Sequence, residues 1–241
     1  EEGSLPILIS QIRHLAKKRL PEEITILVID DGSSDGTYRC VEELAGNDLI
    51  LVRHDVNKGL GEALKTGILE ALKLSPDIDV IVTMDSDNTH SPGLLMRMIM
   101  ALDEGNDVVI ASRYRPGSRV VGLSWFRRLL SLGMSWVFRV LFPIKGVRDY
   151  SCGYRAYKAE LLQQAFDKWG DQFISQSGFS CMVDILLKLN RLNVIFSEVP
   201  LILRYDLKQG KSKMNVQKTI RETINLAVRE KVSSQKSNHH L

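Results

Sequence analysis

The stretch Val82–Pro92 reads VTMDSDNTHSP. An apolar run stops abruptly at Asp85, Ser86, Asp87 and Asn88, with His90 just behind. A short, dense apolar run bounded by turn residues is the pattern of a buried strand. Two carboxylates one residue apart at the end of such a strand repel each other unless a cation or a donor-rich ligand offsets them. Residues i and i+2 of an extended chain face the same side, so Asp85 and Asp87 can share one ion. Hard oxygen donors favour Mg²⁺ or Mn²⁺, which keep waters and recruit substrate phosphates. For His90 two readings stay open: it orders a phosphate, or it caps the next helix.

Outward from that stretch the same pattern recurs. Ile24–Asp30 (ITILVID), Leu49–His54 (LILVRH) and Asp107–Tyr114 (DVVIASRY) read as strands. Leu5–Leu20, Tyr38–Leu44, the end of NKGLGEALKTGILEAL and SPGLLMRMIMALDEG read as helices. In the last of these, Pro92 falls in the first turn and Gly105 past the end. Strands alternating with helices predict an α/β fold, a Rossmann-like and mostly parallel sheet covered by helices on both faces. Ligands of such sheets bind beyond the carboxyl ends of the strands. Asp30 and Asp31 end one strand and Asp85 and Asp87 another, so the carboxylates converge on one edge.

NKGLGEALKTG carries Gly59-x-Gly61 and no further glycine until Gly67. The G-x-G-x-x-G dinucleotide fingerprint is not met, and the glycines read as a close backbone approach at a helix start. In the second half, DYSCGYRAYKAELLQQAF reads as a loop or short strand and then a helix. GFSCMVDILLKLNRL is a helix, and VIFSEVPLILRY a strand broken at Pro200. KQGKSKMN is a basic loop, Asn215–Val232 a helix, and residues 233–241 a disordered tail.

With 241 residues and 44% hydrophobic composition, the chain can bury one sizeable core. A net charge of +3 does not argue for nucleic acid, and no nucleic-acid partner is expected. Cys40, Cys152 and Cys181 are scattered without a C-x-x-C pair, which suits a reducing cytosol rather than a zinc site or disulfide framework. The opening EEGSLPILISQI reads as a helix start, as if a strand preceded it. Val120–Phe142 carries Arg127, Arg128 and Arg139, and its longest uncharged run is about half the ~20 residues a bilayer needs. On a helix there, Ser124, Arg128, Ser131, Ser135 and Arg139 form a polar stripe opposite Phe126, Leu130, Val137 and Leu141. Trp125, Trp136 and the arginines suit a membrane interface; the alternative is an ordinary helix packed on the sheet.

ILVIDDGSSDGT, NKGLGEALKTG, VTMDSDNTHSP, ASRY and SCGYRAY occur in the order seen in family 2 glycosyltransferases of the GT-A fold. More narrowly, the chain resembles dolichyl- and polyprenyl-phosphate mannosyltransferases and glucosyltransferases. The resemblance implies an inverting, metal-dependent transfer of a hexose to a polyprenyl or dolichyl phosphate. It implies GDP-mannose as the first expected donor and UDP-glucose as the second, with the reaction at the cytoplasmic face of a membrane. It implies that Asp30 and Asp31 contact the nucleotide base. Asp85 lies near the ribose and diphosphate, and Asp87 holds Mg²⁺ or Mn²⁺. Arg113, Arg127 and Ser131 match acceptor-phosphate contacts. Arg204, Ser212 and Lys213 match a basic loop that closes on the diphosphate, and Asp85, Asp87 and Arg204 are the residues expected to carry catalysis. Residues 1–115 then form the nucleotide-sugar half and 116–232 the acceptor half. Three departures stand out: the family's opening strand has no counterpart, Thr89 replaces a glutamine before His90, and Met182 replaces another glutamine.

The chemistry agrees with these residue types. A metal and basic side chains stabilise a leaving diphosphate. A lipid monophosphate is already ionised near neutral pH and needs no general base. A saccharide hydroxyl acceptor needs one, and Asp184 is the one candidate, with a structural pairing as the alternative. A non-catalytic nucleotide-sugar-binding module is the remaining rival.

Overall fold

The computed structural model describes residues 1–19, 24–74, 78–178 and 180–208. The expected helix over 215–232, the tail, Ser212 and Lys213 lie outside the described residues.

Alternation holds through the first half: α1 (Leu5–Arg19), β1 (Ile26–Asp30), α2 (Thr37–Glu42), β2 (Leu49–Arg53), α3 (Leu60–Lys73) and β3 (Val80–Thr83). A 3-10 turn at Pro92–Leu94 leads into α4 (Leu95–Asp103) and β4 (Val108–Ser112). Next come β5 (Arg119–Val121), α5 (Trp125–Leu141), β6 (Arg155–Lys158), α6 (Ala159–Trp169) and α7 (Ser180–Asn190). Strands β7 (Phe196–Pro200) and β8 (Ile202–Arg204) close the described part. They are the two sides of the break expected at Pro200.

The central sheet has the order β3-β6-β4-β7. Here β6 runs antiparallel to both β3 and β4, while β4 and β7 are parallel. The sheet is therefore mixed, and the segment read as a loop or short strand fills its centre. Two reversals leave β3, β4 and β7 pointing the same way. Thr83 at the end of β3 faces Arg155 at the start of β6. The loops after β3 and β4 and the loop entering β6 thus meet at one edge, which is where the site lies.

Strand β4 is buried along its whole length, as a dense apolar run predicts. β1 and β2 are only partly buried, because they pair with each other in a separate parallel two-stranded sheet. A small core of Leu5, Ile9 and Val41 lies against that pair. The main core is one apolar cluster that takes residues from both halves, including Ile68, Met98, Ile110, Tyr154, Leu162 and Leu186.

α5 departs from the ordinary amphipathic rule. Ser135 and Phe138 face the protein, while Trp125 (74% exposed), Leu129, Leu132, Trp136 (65% exposed) and Val140 face outward. Leu130 and Val137, expected opposite the polar stripe, are also exposed. The polar stripe is what anchors the helix: Ser135 Oγ donates to the Arg148 carbonyl at 2.7 Å, and Ser131 meets the Tyr114 hydroxyl at 2.8 Å. Among the described residues, no helix is long and apolar enough to cross a membrane.

Candidate active site

The loop after β3 is tied together by its own polar groups. Asp87 Oδ1 accepts from the Thr89 N–H at 3.1 Å and from Thr89 Oγ1 at 2.6 Å. Asn88 between them takes a left-handed backbone, φ 60°, which asparagine tolerates. Asp87 Oδ2 accepts from Lys208 Nζ at 2.6 Å. Burial pushes the Asp87 carboxyl up, but Lys208 and Thr89 outweigh it and hold the group below the usual carboxylate range. Asp85 is about half exposed and faces the edge, its side chain 43% accessible.

His90 lies beneath this loop. Its ring stacks on Tyr154, centroids 5.1 Å apart, and its Nδ1 accepts from the Asp85 N–H at 3.3 Å. Burial pushes its pKa down, so the ring is neutral at pH 7. An accepting Nδ1 leaves the proton on Nε2, which lies 3.9 Å from Asp85 Oδ2. His90 therefore orders the carboxylate loop, and Ser91 takes the helix N-cap position.

At the ends of β1 and β2, Asp31 clamps the loop that follows β2. Its Oδ1 accepts from His54 Nδ1 at 2.7 Å and the Lys58 N–H at 2.9 Å, and its Oδ2 from the Gly59 N–H at 2.8 Å. Burial raises its pKa, and these donors more than reverse the effect. Asp30 is buried; its Oδ1 accepts from the Ser33 N–H at 3.0 Å. Its Oδ2 has no hydrogen-bond partner, with Arg53 Nε at 3.4 Å. The close approach expected at NKGLG is present. A Cβ on Gly61 would come 1.9 Å from the Gln176 carbonyl oxygen, so α3 starts hard against the 175–178 loop.

On the other side of the edge, Arg113 forms a two-pronged pair with buried Asp149. Nε reaches Oδ2 at 2.8 Å, Nη2 reaches Oδ1 at 2.6 Å, and Nη2 also donates to Ser151 Oγ at 2.7 Å. Tyr114, the next residue, meets Ser131 on α5. Arg127 lies one turn before Ser131 and is exposed. Arg113 and Ser131 are thus brought together through Tyr114. Arg204 joins the carboxylate loop by its backbone, its N–H donating to the Thr89 carbonyl at 3.0 Å, while its guanidinium pairs with Asp206.

Tyr114, Asp149 and His54 were not singled out by sequence reasoning, and Lys208 was read only as part of the basic loop, not as the partner of Asp87. Lys208 is 121 residues from Asp87, a separation no local pattern bridges. For Tyr114 a signal existed: it closes the ASRY motif beside Arg113.

The donors suit a hard divalent cation. Asp85 and Asp87 present carboxylate oxygens, and Asn88 Oδ1 in the same loop is buried without a partner. A cationic ammonium already rests on Asp87 Oδ2. Among the described residues, no group of three His, Cys, Asp or Glu side chains surrounds a single metal position. Any further ligands would have to be amide oxygens, waters or substrate phosphates.

The chain is 33% identical over 218 residues to a polyprenol monophosphomannose synthase of Mycolicibacterium smegmatis, covering 89% of this chain and 77% of that protein. It is also 33% identical to an undecaprenyl-phosphate mannosyltransferase of Micrococcus luteus, covering 89% and 84% respectively. In fold it is similar to the crystal structure of glucosyl-3-phosphoglycerate synthase from Mycobacterium tuberculosis in complex with Mn²⁺ and UDP-glucose. The TM-score is 0.62 and the identity 20%, over 94% of this chain and 75% of that one. The family described as glycosyl transferase family 2 matches residues 1–166. With its GT-A-like α/β fold, this chain belongs to glycosyl transferase family 2 and is a glycosyltransferase.

Proposed function

We propose that the chain transfers mannose from GDP-mannose to a polyprenyl phosphate, with inversion, while bound peripherally to the cytoplasmic face of a membrane. The observation that carries this reading is the meeting at one sheet edge of two unlike sites. The Asp85–Asp87 loop lies on one side of the 149–154 segment and the Arg113–Tyr114–Ser131 cluster on the other. Carboxylates suit a metal-bound diphosphate, and arginine with serine hydroxyls suits a phosphomonoester. The relatives' names supply the sugar and the lipid.

Asp85 and Asp87 would hold Mg²⁺ or Mn²⁺, which when bound supplies positive charge to the leaving diphosphate. Arg204, whose N–H joins it to the carboxylate loop, would contact the diphosphate together with Ser212 and Lys213 of the expected basic loop, and Asp30 and Asp31 would shape the nucleotide end. Arg113, Arg127 and Ser131 hold the acceptor phosphate. One phosphate oxygen forms a bond to the anomeric carbon as the bond to the diphosphate breaks. A single displacement inverts that carbon. The acceptor oxygen arrives ionised, so no side chain has to remove a proton. Asp184 is not available for that role. It is buried, accepts from Ser175 N–H and Oγ, and pairs with Lys188 Nζ at 2.7 Å. This argues against a hydroxyl acceptor.

The outward apolar stripe of α5, flanked by Arg127 and Arg128, fits the interface of an anionic bilayer. The free thiols Cys40, Cys152 and Cys181 suit a reducing compartment. The test incubates the protein with Mn²⁺, a short polyprenyl phosphate, and labelled GDP-mannose or UDP-glucose in separate tubes. Label entering the organic phase from GDP-mannose, and lost in Asp87→Ala, supports the reading. Label from UDP-glucose alone replaces the sugar. No label from either donor, with nucleotide bound, overturns the lipid-phosphate acceptor.

A further inference from the structure

The acceptor cluster presents a charge problem. Arg113 brings a cation to the cluster, yet Asp149 takes its backbone N–H, Nε and Nη2. Burial lowers the pKa of Arg113, and Asp149 more than reverses that, so the pair is a fully ionised dipole with little net charge. A phosphomonoester carries about −1.5 to −2 near neutral pH. A neutral pair orients such a group but does not balance it.

Arg139 approaches the same cluster from α5. Its Nε donates to the Arg148 carbonyl at 3.3 Å and its Nη2 to Ser135 Oγ at 3.2 Å, both neutral acceptors. No carboxylate forms an ion pair with it among the described residues. Its guanidinium carbon lies 5.5 Å from the centre of the Tyr114 ring, and that of Arg113 lies 5.4 Å from the same ring. The hydroxyl of that ring is bonded to Ser131. Arg139 follows Ser131 by two turns of α5. Helical side chains lean toward the N-terminus, which brings the guanidinium back over Tyr114.

Resting on the reading of the acceptor as a lipid phosphate, we propose that Arg139 is the residue that balances the acceptor phosphate's charge, and that Tyr114 positions it beside Arg113 and Ser131. Asp149 then fixes the fork of Arg113, and Arg139 adds net positive charge on the Tyr114 side, beside that of the exposed Arg127. The polar stripe of α5 is explained as well. Ser131, Ser135 and Arg139 turn inward because they line the acceptor site, while Ser124 and Arg128 of the same stripe are exposed, and the helix shows its apolar side outward, toward the lipid that delivers the substrate.

The test is equilibrium binding of citronellyl phosphate, a short soluble isoprenyl phosphate, by calorimetry, alongside binding of GDP-mannose and thermal melting. Arg139→Met is expected to weaken citronellyl phosphate about ten- to a hundredfold, the range for losing one charge-assisted bond, with GDP-mannose unchanged. Arg139→Lys recovers part of the loss. Tyr114→Leu weakens the same ligand, whereas Tyr114→Phe, which keeps the ring, loses less. Should Arg139→Met melt early, Arg139→Gln keeps a polar N–H donor on α5 while removing the charge. Equal binding to wild type and Arg139→Gln overturns the role of Arg139 and leaves the proposed reaction standing. No binding of citronellyl phosphate to the wild type overturns both.

Discussion

Lys208 Nζ lies 2.6 Å from Asp87 Oδ2. An ammonium therefore occupies the carboxylate oxygen that a divalent cation would need. The two cations compete for one oxygen, and like charges at that separation exclude each other. Lys208→Met should tighten Mn²⁺ binding several-fold, and Asp87→Asn should weaken it strongly. Paramagnetic resonance of free Mn²⁺ in a titration measures both. Unchanged affinity in Lys208→Met would show that the pair opens at no cost.

Asp184 and Lys188 form a buried pair whose remaining bonds go to Ser175 and to the carbonyls of Gln172 and Phe173. Removing one partner of such a pair leaves an uncompensated charge and costs about 3 kcal/mol or more. Asp184→Asn should reduce the unfolding free energy by that amount, read from urea titrations. The folded fraction should keep mannosyl transfer within a few-fold, as expected for a lipid-phosphate acceptor, which needs no general base. Loss of turnover at full stability would restore the base role and the hydroxyl acceptor.

Trp125 and Trp136 stand out from α5 into solvent. Burying one such side chain in a bilayer interface is worth about 1.5–3 kcal/mol. The double substitution Trp125→Ser with Trp136→Ser should lower the partition onto anionic vesicles by at least about tenfold, read by co-sedimentation. Melting temperature should hardly move, because neither ring packs in the core. Binding should also weaken as salt rises, since Arg127 and Arg128 act through screened charge.

Burial pushes the Asp149 carboxyl up, but Arg113 and its hydrogen bonds hold it below the usual carboxylate range. A carboxyl depressed in the folded state adds stability that is complete above its unfolded pKa. That stability is lost as pH falls through the folded value. Wild type should therefore lose stability below about pH 4. Asp149→Asn should be less stable at pH 7 and show a flatter decline in acid. Denaturant midpoints between pH 2 and 7 check both slopes.

Much of the site was legible in the residues themselves. The D-x-D spacing after an apolar run placed Asp85 and Asp87 together at a strand end, and ASRY flagged Arg113. The alternation of short apolar runs with helical periods gave the α/β class. Less legible was the direction of β6, because a four-residue strand carries no sign of whether it runs with or against its neighbours. The orientation of α5 was not legible either. Its polar and apolar stripes are plain in the sequence, and only contact with Tyr114 and the Arg148 carbonyl turns Ser131 and Ser135 inward, while Ser124 and Arg128 stay exposed.

Local rules therefore determined the elements, the chemistry of the loop at 85–90 and the kind of ligand it suits, because these depend on residues within a few positions of one another. The tertiary structure alone decided which charges are already paired. Asp149 neutralises Arg113, Lys208 rests on Asp87, and Arg139 lies over Tyr114 with no carboxylate partner among the described residues. Coulomb interactions depend on distance in space and on burial, and neither is written in the spacing of residues along the chain.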